Sequence, residues 1–437
     1  MNAKMLALSF LLITLSFYYC CIIAISASYC SSDHCEKVIK CDSFRKQIKW
    51  AKEDWVQIGH LPIEAFAAYA DERINPSSPQ DTVVVRVIAH GLQAAYNQIP
   101  AVYCSLYDGS EWISLGPMEY VRVYASTLHH DEYTSHFLLA YIPERLWKQR
   151  NFNAIGLGLE KCDLKVTLKI KRLKFDVSNV PLKLGACTSP IHGSISSTRV
   201  AEFIEIHKLL GVQHFVFYVL RPHSVGQKVQ RMLNRYSKSS EITLVDWPLL
   251  NRHKYFYHDQ RSALNDCLYR ISDTVSHVAV IDLDEVMVPR QKTVQSLPEL
   301  ITELLADNSK KVGSICFQHV YFEKNESDAL SHNLHQDFVT QTKFSRSNIA
   351  YPKEKVRSKC IHAPKFLLAT DIHSAQWFLN ESISEIMLSE EIAILHHYRL
   401  FPMSVVKEKP DIWFFNDYFL SKFQKQLVDR VSKAVKD

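Results

Sequence analysis

Between residues 182 and 281 four short apolar runs, 182–187, 214–220, 242–245 and 277–281, are separated by three stretches with helical spacing. In the first of these, Val200, Phe203, Ile204, His207 and Leu210 recur at three and four residues, and Gly211 stands where a helix C-terminus favours positive φ. The second covers 225–236, and in the third Ala263, Leu264, Cys267, Leu268 and Ile271 mark one face. Strands that alternate with helices predict an α/β domain whose mainly parallel sheet is covered on both faces. Ligands of such sheets bind outside the carboxyl ends of the strands. Chemistry is therefore expected in the residues just after each apolar run.

After the fourth run the chain reads HVAVIDLDEVMVPR over residues 277–290, with Asp282, Asp284 and Glu285 where a buried strand emerges. On an extended backbone, side chains at i and i+2 project to the same side, so Asp282 and Asp284 can chelate one divalent cation. Oxygen ligands suit Mg²⁺ or Mn²⁺, which proteins hold with one or two carboxylates plus substrate phosphates. The same letters also fit an aspartate capping the next turn. Context decides between them.

Part of that context is compartment. Residues 5–32 carry no charge and 6–27 are almost continuously apolar, near the ~20 residues a spanning helix requires. Lys4 precedes the run, and Asp33, His34 and Glu36 come after it, so 1–4 read as a cytosolic tail, 5–27 as a signal anchor and the body as lumenal. Small residues at Ala24, Ser26, Ala27 and Ser28 keep a cleaved signal peptide as the rival. Both readings deliver the chain to the secretory pathway. Of the eleven cysteines, Cys20 and Cys21 fall in the apolar run. Cys30, Cys35, Cys41, Cys104, Cys162, Cys187, Cys267, Cys316 and Cys360 are widely spaced, which favours structural disulfides over a zinc site. Asn325 and Asn380 begin glycosylation sequons. The net charge of +5 on 437 residues, with no block of like charges, argues against a nucleic-acid partner.

Residues 28–79 mix charge with isolated apolar residues, end in NPSSP and read as a stem. From 80 to 178 short β-branched runs separated by Gly91, Asp108-Gly109, Gly116-Pro117 and Pro143 predict a small β-rich domain. His129-His130-Asp131-Glu132 reads as an exposed turn rather than a metal site. The α/β domain then occupies 179–437, closed by a helix in which Phe419, Phe423, Leu427, Val431 and Val435 recur at helical spacing.

An acidic pair after a buried strand in a lumenal α/β domain points to nucleotide-sugar transfer. A sugar nucleoside diphosphate must lose a charged leaving group, and a divalent ion bridging its phosphates stabilises the developing charge. Asp282 and Asp284 would hold that ion, with Glu285 supporting them or facing the sugar. The run at 392–395 ends in HHYR, from which His396 or His397 can complete the metal site and Arg399 can neutralise phosphate.

From about residue 184 to 400 the chain resembles glycosyltransferase family 92. The resemblance is carried, in this order, by SPIHGSISSTRVAEFIEIHKLLGVQHFVFY, DQRSALNDCLYRISDTVSHVAVIDLDEVMVP and HHYR. It implies a nucleotide-sugar fold of the A type (GT-A) in a Golgi type II membrane enzyme. It further implies transfer of galactose from UDP-galactose in a β1,4 linkage onto glycans, including the core fucose of N-glycans. It places the metal on Asp282 and Asp284 and selects His397 as third ligand.

Gln260, Asn265 and Asp266, on the helix before the acidic run, are candidates for nucleotide or sugar hydroxyls. Inversion at the anomeric carbon needs a carboxylate base, for which Glu323 and Asp371 are candidates. Tyr321, Phe322, Trp377 and Phe378 can stack on a sugar ring or pack in the core. Two rival readings are a lumenal glycan-binding module without turnover and a haloacid-dehalogenase-like phosphatase with Asp282 as nucleophile. The second rival is disfavoured because its acidic motif normally opens the domain.

Overall fold

The computed structural model describes residues 39–41, 54–123, 133–175, 182–220, 225–248, 259–306, 311–322, 338–348, 357–399 and 413–436. The apolar run at 5–27, the turn at 129–132, the sequon at Asn325 and the candidate base Glu323 lie outside the described residues. Among the described residues, no helix is long and apolar enough to cross a membrane.

The N-terminal part forms a ten-stranded sheet. Its order is Ile39–Lys40, Trp112–Pro117, Tyr103–Tyr107, Ala154–Gly158, Val166–Arg172, Ile63–Asp71, Thr82–Leu92, Tyr133–Pro143 and Glu119–Arg122, with Val56–Gln57 beside Ile63–Asp71. Three of these strands, Ile39–Lys40, Val56–Gln57 and Ile63–Asp71, lie inside the stretch expected to be a stem. The longest of them escapes a period-two reading for a physical reason. Ile63, Ala65, Ala68 and Ala70 pack into the core of this sheet, while Phe66 and Tyr69 pack against the α/β part. A register irregularity between Ala65 and Ala67 shifts the phase, so apolar residues come one after another without alternation.

The α/β part is built on a seven-stranded sheet in the order Ile242–Trp247, Val212–Leu220, Leu184–Cys187, His277–Val280, Lys359–His362, Lys311–Phe317 and Ile383–Leu388. Pairing is parallel except on either side of Lys359–His362, which runs against both neighbours. The sheet is therefore mixed, with a parallel half where the strand and helix texture predicted one. Helix Ser197–Leu209 is capped by the Ser196 side chain and closed by Gly211 at φ +97°. Helices Gln227–Lys238, Gln260–Arg270 and Gln424–Val435 match the remaining periodic stretches.

The first strand, Leu184–Cys187, lies between the second and the fourth, so the crossovers leave it in opposite directions. The crevice between the ends of Leu184–Cys187 and His277–Val280 is therefore the topological switch point of the parallel half. A five-stranded sheet adjoins it, ordered Glu285–Pro289, Ala393–Tyr398, His319–Phe322, Ser345–Ser347 and Phe414–Asn416. Disulfides join Cys41 to Cys162, Cys187 to Cys267 and Cys316 to Cys360, and Cys104 is buried as a free thiol.

Candidate active site

Strand His277–Val280 ends at the switch point, and the Ile281 N–H still donates to Cys187 O at 3.1 Å. The backbone then turns. Glu285 N–H donates to Asp282 O at 3.1 Å, and the Glu285 carboxylate reaches back to accept the Asp282 N–H at 2.9 Å. Asp282 and Asp284 thus sit in a four-residue turn that passes the chain from the seven-stranded to the five-stranded sheet. The i, i+2 alternation expected of an extended strand does not apply, and the two aspartates meet different partners.

Asp282 is enclosed on its polar edges. Its Oδ2 lies 2.7 Å from Lys359 Nζ, and its Oδ1 accepts from the Ser189 hydroxyl and from Gln260 Nε2 at 3.3 Å. Gln260 Nε2 also donates to Ser189 Oγ. Ser189 lies just beyond strand Leu184–Cys187, Gln260 begins helix Gln260–Arg270 and Lys359 begins strand Lys359–His362, so three elements converge on one carboxylate. Lys359 Nζ lies 3.7 Å from Glu285 as well. Burial works to raise the Asp282 pKa, but the Lys359 charge and the hydrogen bonds from Lys359 and Ser189 hold it below the ordinary carboxylate value. For Glu285 burial wins, and its pKa is pushed up to about 7 against the lowering effect of Lys359.

Asp284 is the most open carboxylate of the three, its side chain 41% exposed against 31% for Asp282 and 2% for Glu285. Its carbonyl accepts the Tyr398 N–H at 2.7 Å, and its Oδ2 lies 3.3 Å from His397 Nε2. Burial again works upward, but the His397 hydrogen bond and the charges of His397, Arg199 and Arg399 lower its pKa to about 2. His397 is placed by register, opposite Glu285 on one neighbouring strand and Tyr321 on the other. Its ring stacks on Tyr321 at 5.4 Å between centroids, and the Tyr321 hydroxyl accepts from Arg357. His397 Nδ1 is buried without a hydrogen bond and lies 3.6 Å from Glu285 Oε1.

His396 points to the other face, packed 4.5 Å from Phe322, with its pKa lowered to about 3 by burial. It is the core histidine of the HHYR pair. Arg399 is exposed.

Three sequence candidates are engaged elsewhere. Asn265 donates to Arg261 O and Thr370 O and accepts the Thr370 N–H, all at 2.8–2.9 Å. Asp266 accepts from the hydroxyls of Tyr69 and Tyr218, both at 2.6 Å, and from Arg270. Both are fully buried, so the substrate-binding role expected of them gives way to a structural one. Asp371 is held in an ion pair by Arg261 at 2.5 Å, which engages the carboxylate a base would need free. Of the aromatic candidates, Tyr321 and Phe322 are buried while Trp377 and Phe378 are half-buried.

Sequence reasoning missed Ser189, Arg199 and Lys359. Ser189 and Arg199 lie inside the SPIHGSISSTRV stretch that carries the family resemblance. Lys359 carries no spacing signal, because its partners are 74 and 77 residues away in the chain.

A divalent ion needs convergent ligand atoms. Asp284 Oδ2 and His397 Nε2 lie 3.3 Å apart, a carboxylate oxygen and an imidazole nitrogen side by side, with the Asp284 side chain open to solvent. Asp282 does not join them. Among the described residues, three ligand atoms lie within 4.8 Å of one another only at Cys316, Cys360 and Glu385, where both sulfurs are spent in a disulfide. The residues present therefore fit an ion held by two protein ligands, with oxygens of a phosphorylated substrate completing the set.

Among known proteins, galactan beta-1,4-galactosyltransferase GALS3 of Arabidopsis thaliana is 29% identical over 141 residues, covering 30% of this chain and 28% of that protein. Galactan beta-1,4-galactosyltransferase GALS1 of the same plant is 21% identical over 205 residues, 45% of this chain and 38% of that protein. A glycosyltransferase family 92 protein of Caenorhabditis elegans is 26% identical over 125 residues, 26% of this chain and 24% of that protein. The matched stretches thus span well under half of each relative. Among solved structures, glucosyl-3-phosphoglycerate synthase of Mycobacterium tuberculosis is 9% identical over 60% of this chain and 81% of that one, with a TM-score of 0.25, too slight a likeness to bear on the fold. The family model for glycosyltransferase family 92 matches residues 183–434, which takes in both sheets of the site and the closing helix. With more than half of its length matched, this chain belongs to glycosyltransferase family 92.

Proposed function

We propose that the protein is a metal-dependent, inverting galactosyltransferase that moves galactose from UDP-galactose onto a glycan in a β1,4 linkage. The observation that carries this reading is the open Asp284 carboxylate beside His397 at the switch point of the sheet. Asp284 and His397 would hold Mn²⁺ or Mg²⁺, which when bound supplies positive charge to the departing diphosphate. The low pKa of Asp284 keeps its carboxylate ionised, as ligation requires. Gln260 and Ser189 hold one oxygen of Asp282 and so fix its carboxylate at the switch point. Exposed Arg399 and nearby Arg199 add positive charge where phosphate would enter.

For the base, Asp371 is engaged by Arg261, so we assign the role to Glu323, the residue next after strand His319–Phe322 in the chain. We place the enzyme in the Golgi membrane as a single-pass type II protein, with residues 1–4 cytosolic, residues 5–27 as its anchor and the body from residue 28 lumenal. Its acceptor is read as a glycan, a fucosylated N-glycan among the candidates, by resemblance to the family.

The test is UDP release by the full-length chain with Mn²⁺, a panel of UDP-sugars and a glycan acceptor array. Turnover is expected with UDP-galactose, lost on chelation and reduced at least about 100-fold in a folded Asp284→Asn variant. Retained glycan binding with no turnover of any donor would replace this reading with that of a binding module.

A further inference from the structure

Lys359 touches two members of the acidic turn, yet the assignment of ligands leaves it without a role. It is fully buried, 2.7 Å from Asp282 and 3.7 Å from Glu285. Its backbone lies in the middle of the seven-stranded sheet, opposite Phe317, and the next residue, Cys360, is bonded to Cys316 on that same neighbouring strand. With its backbone pinned and its side chain fully buried, the ammonium group has no open solvent to move into.

We infer that Lys359 is a positioning residue that occupies the cation position of Asp282 and Glu285, leaving Asp284 and His397 as the protein's ligands for a divalent ion. The inference rests on the metal-dependent reading given above and narrows it. Three carboxylates crowd into four residues, and left unbalanced they would either repel one another or gather a metal ion among themselves. A fixed ammonium beside Asp282 neutralises the inner part of the cluster and repels a second cation from it. The outer carboxylate then faces the imidazole alone, as the absence of a three-ligand group here among the described residues already indicates. One cation is built into the chain, and one place remains for an exchangeable ion next to the crevice.

Binding of Mn²⁺ alone, monitored by electron paramagnetic resonance on the full-length chain without donor or acceptor, tests this independently of turnover. Lys359→Met releases Asp282 and Glu285 as ligands, so Mn²⁺ should bind about tenfold more tightly while UDP-galactose turnover falls about 100-fold. A merely structural lysine would give the opposite, weaker binding together with lower stability. Because Lys359→Met leaves buried Glu285 and half-buried Asp282 without their counter-ion, the charge-balanced pair Lys359→Met with Asp282→Asn provides the second measurement. It should bind Mn²⁺ with the affinity of the unmodified chain, since Asp284 and His397 are untouched. Unchanged affinity in Lys359→Met, or loss of binding in the paired variant, overturns the role given to Lys359. No Mn²⁺ binding by the unmodified chain overturns the metal-dependent reading itself, and this inference with it.

Discussion

Asp282, Asp284 and Glu285 are chemically near-identical groups within four residues, yet each meets a different field. Glu285 is fully buried, and burial outweighs the Lys359 charge 3.7 Å away, so its pKa is pushed up to about 7. Asp284 is exposed to solvent, a histidine and two arginines, and ionises near pH 2. The same competition between burial and partner charge acts at Asp71 in the N-terminal sheet. There burial works upward, but hydrogen bonds and charge from Arg73, then the charge of Arg86, lower the pKa from 3.8 to about 2. A carboxyl whose folded pKa is depressed contributes stability that is present above its unfolded pKa and lost as pH falls through the folded one. Asp71 should therefore contribute about 2 kcal/mol at neutral pH that disappears between roughly pH 4 and pH 2. Denaturant unfolding across that range checks this: the stability gap between the natural chain and Asp71→Asn should shrink as pH falls, and a constant gap would refute it.

Among the elements, helix Gln260–Arg270 shows where sequence reasoning succeeds and where it ends. Its apolar face was legible from the spacing of Ala263, Leu264, Cys267, Leu268 and Ile271. Its polar residues suggested a face turned to substrate, but the helix lies between two sheets and is buried on nearly every side. Polar side chains there must find partners inside the protein, and they do so on Thr370, Tyr69 and Tyr218, 48 to 197 residues away. No local pattern reports a partner at that distance. Asn265→Ala should leave the Thr370 backbone groups without partners and cost about 1–3 kcal/mol, with the donor KM unchanged. Thermal unfolding and donor titration together check it, and a raised KM at unchanged stability would restore the substrate role. The acidic turn gives the same lesson in reverse. Residue types and order pointed to the right loop, while its shape depends on the Glu285 side chain capping Asp282 N–H, which no alternation rule encodes.

On the scale of the whole molecule, the two sheet systems share one core. Trp55, Phe66, Tyr69 and Phe137 of the N-terminal part pack with Trp247, Leu264 and Tyr269 of the α/β part. His90 spans the same junction, with its two ring nitrogens on Glu64 and Asp259 at 2.5 and 2.9 Å. The disulfides brace each part from within, Cys41–Cys162 in the N-terminal sheet and the other two in the α/β part. Cys187–Cys267 closes a loop of 80 residues, and replacing both cysteines by alanine should cost about 4 kcal/mol, read as a shift in the denaturant midpoint.

The placement of two of these bonds has a consequence for the crevice. Ser189 stands two residues beyond Cys187, Gln260 heads the helix that carries Cys267, and Lys359 precedes Cys360. Each of these three side chains that grip Asp282 is thus anchored within a few residues, or along one helix, of an oxidised sulfur. Oxidation of these thiols therefore ties together the strands and the helix that present the grip on Asp282, a covalent restraint that a chain made where thiols stay reduced would lack.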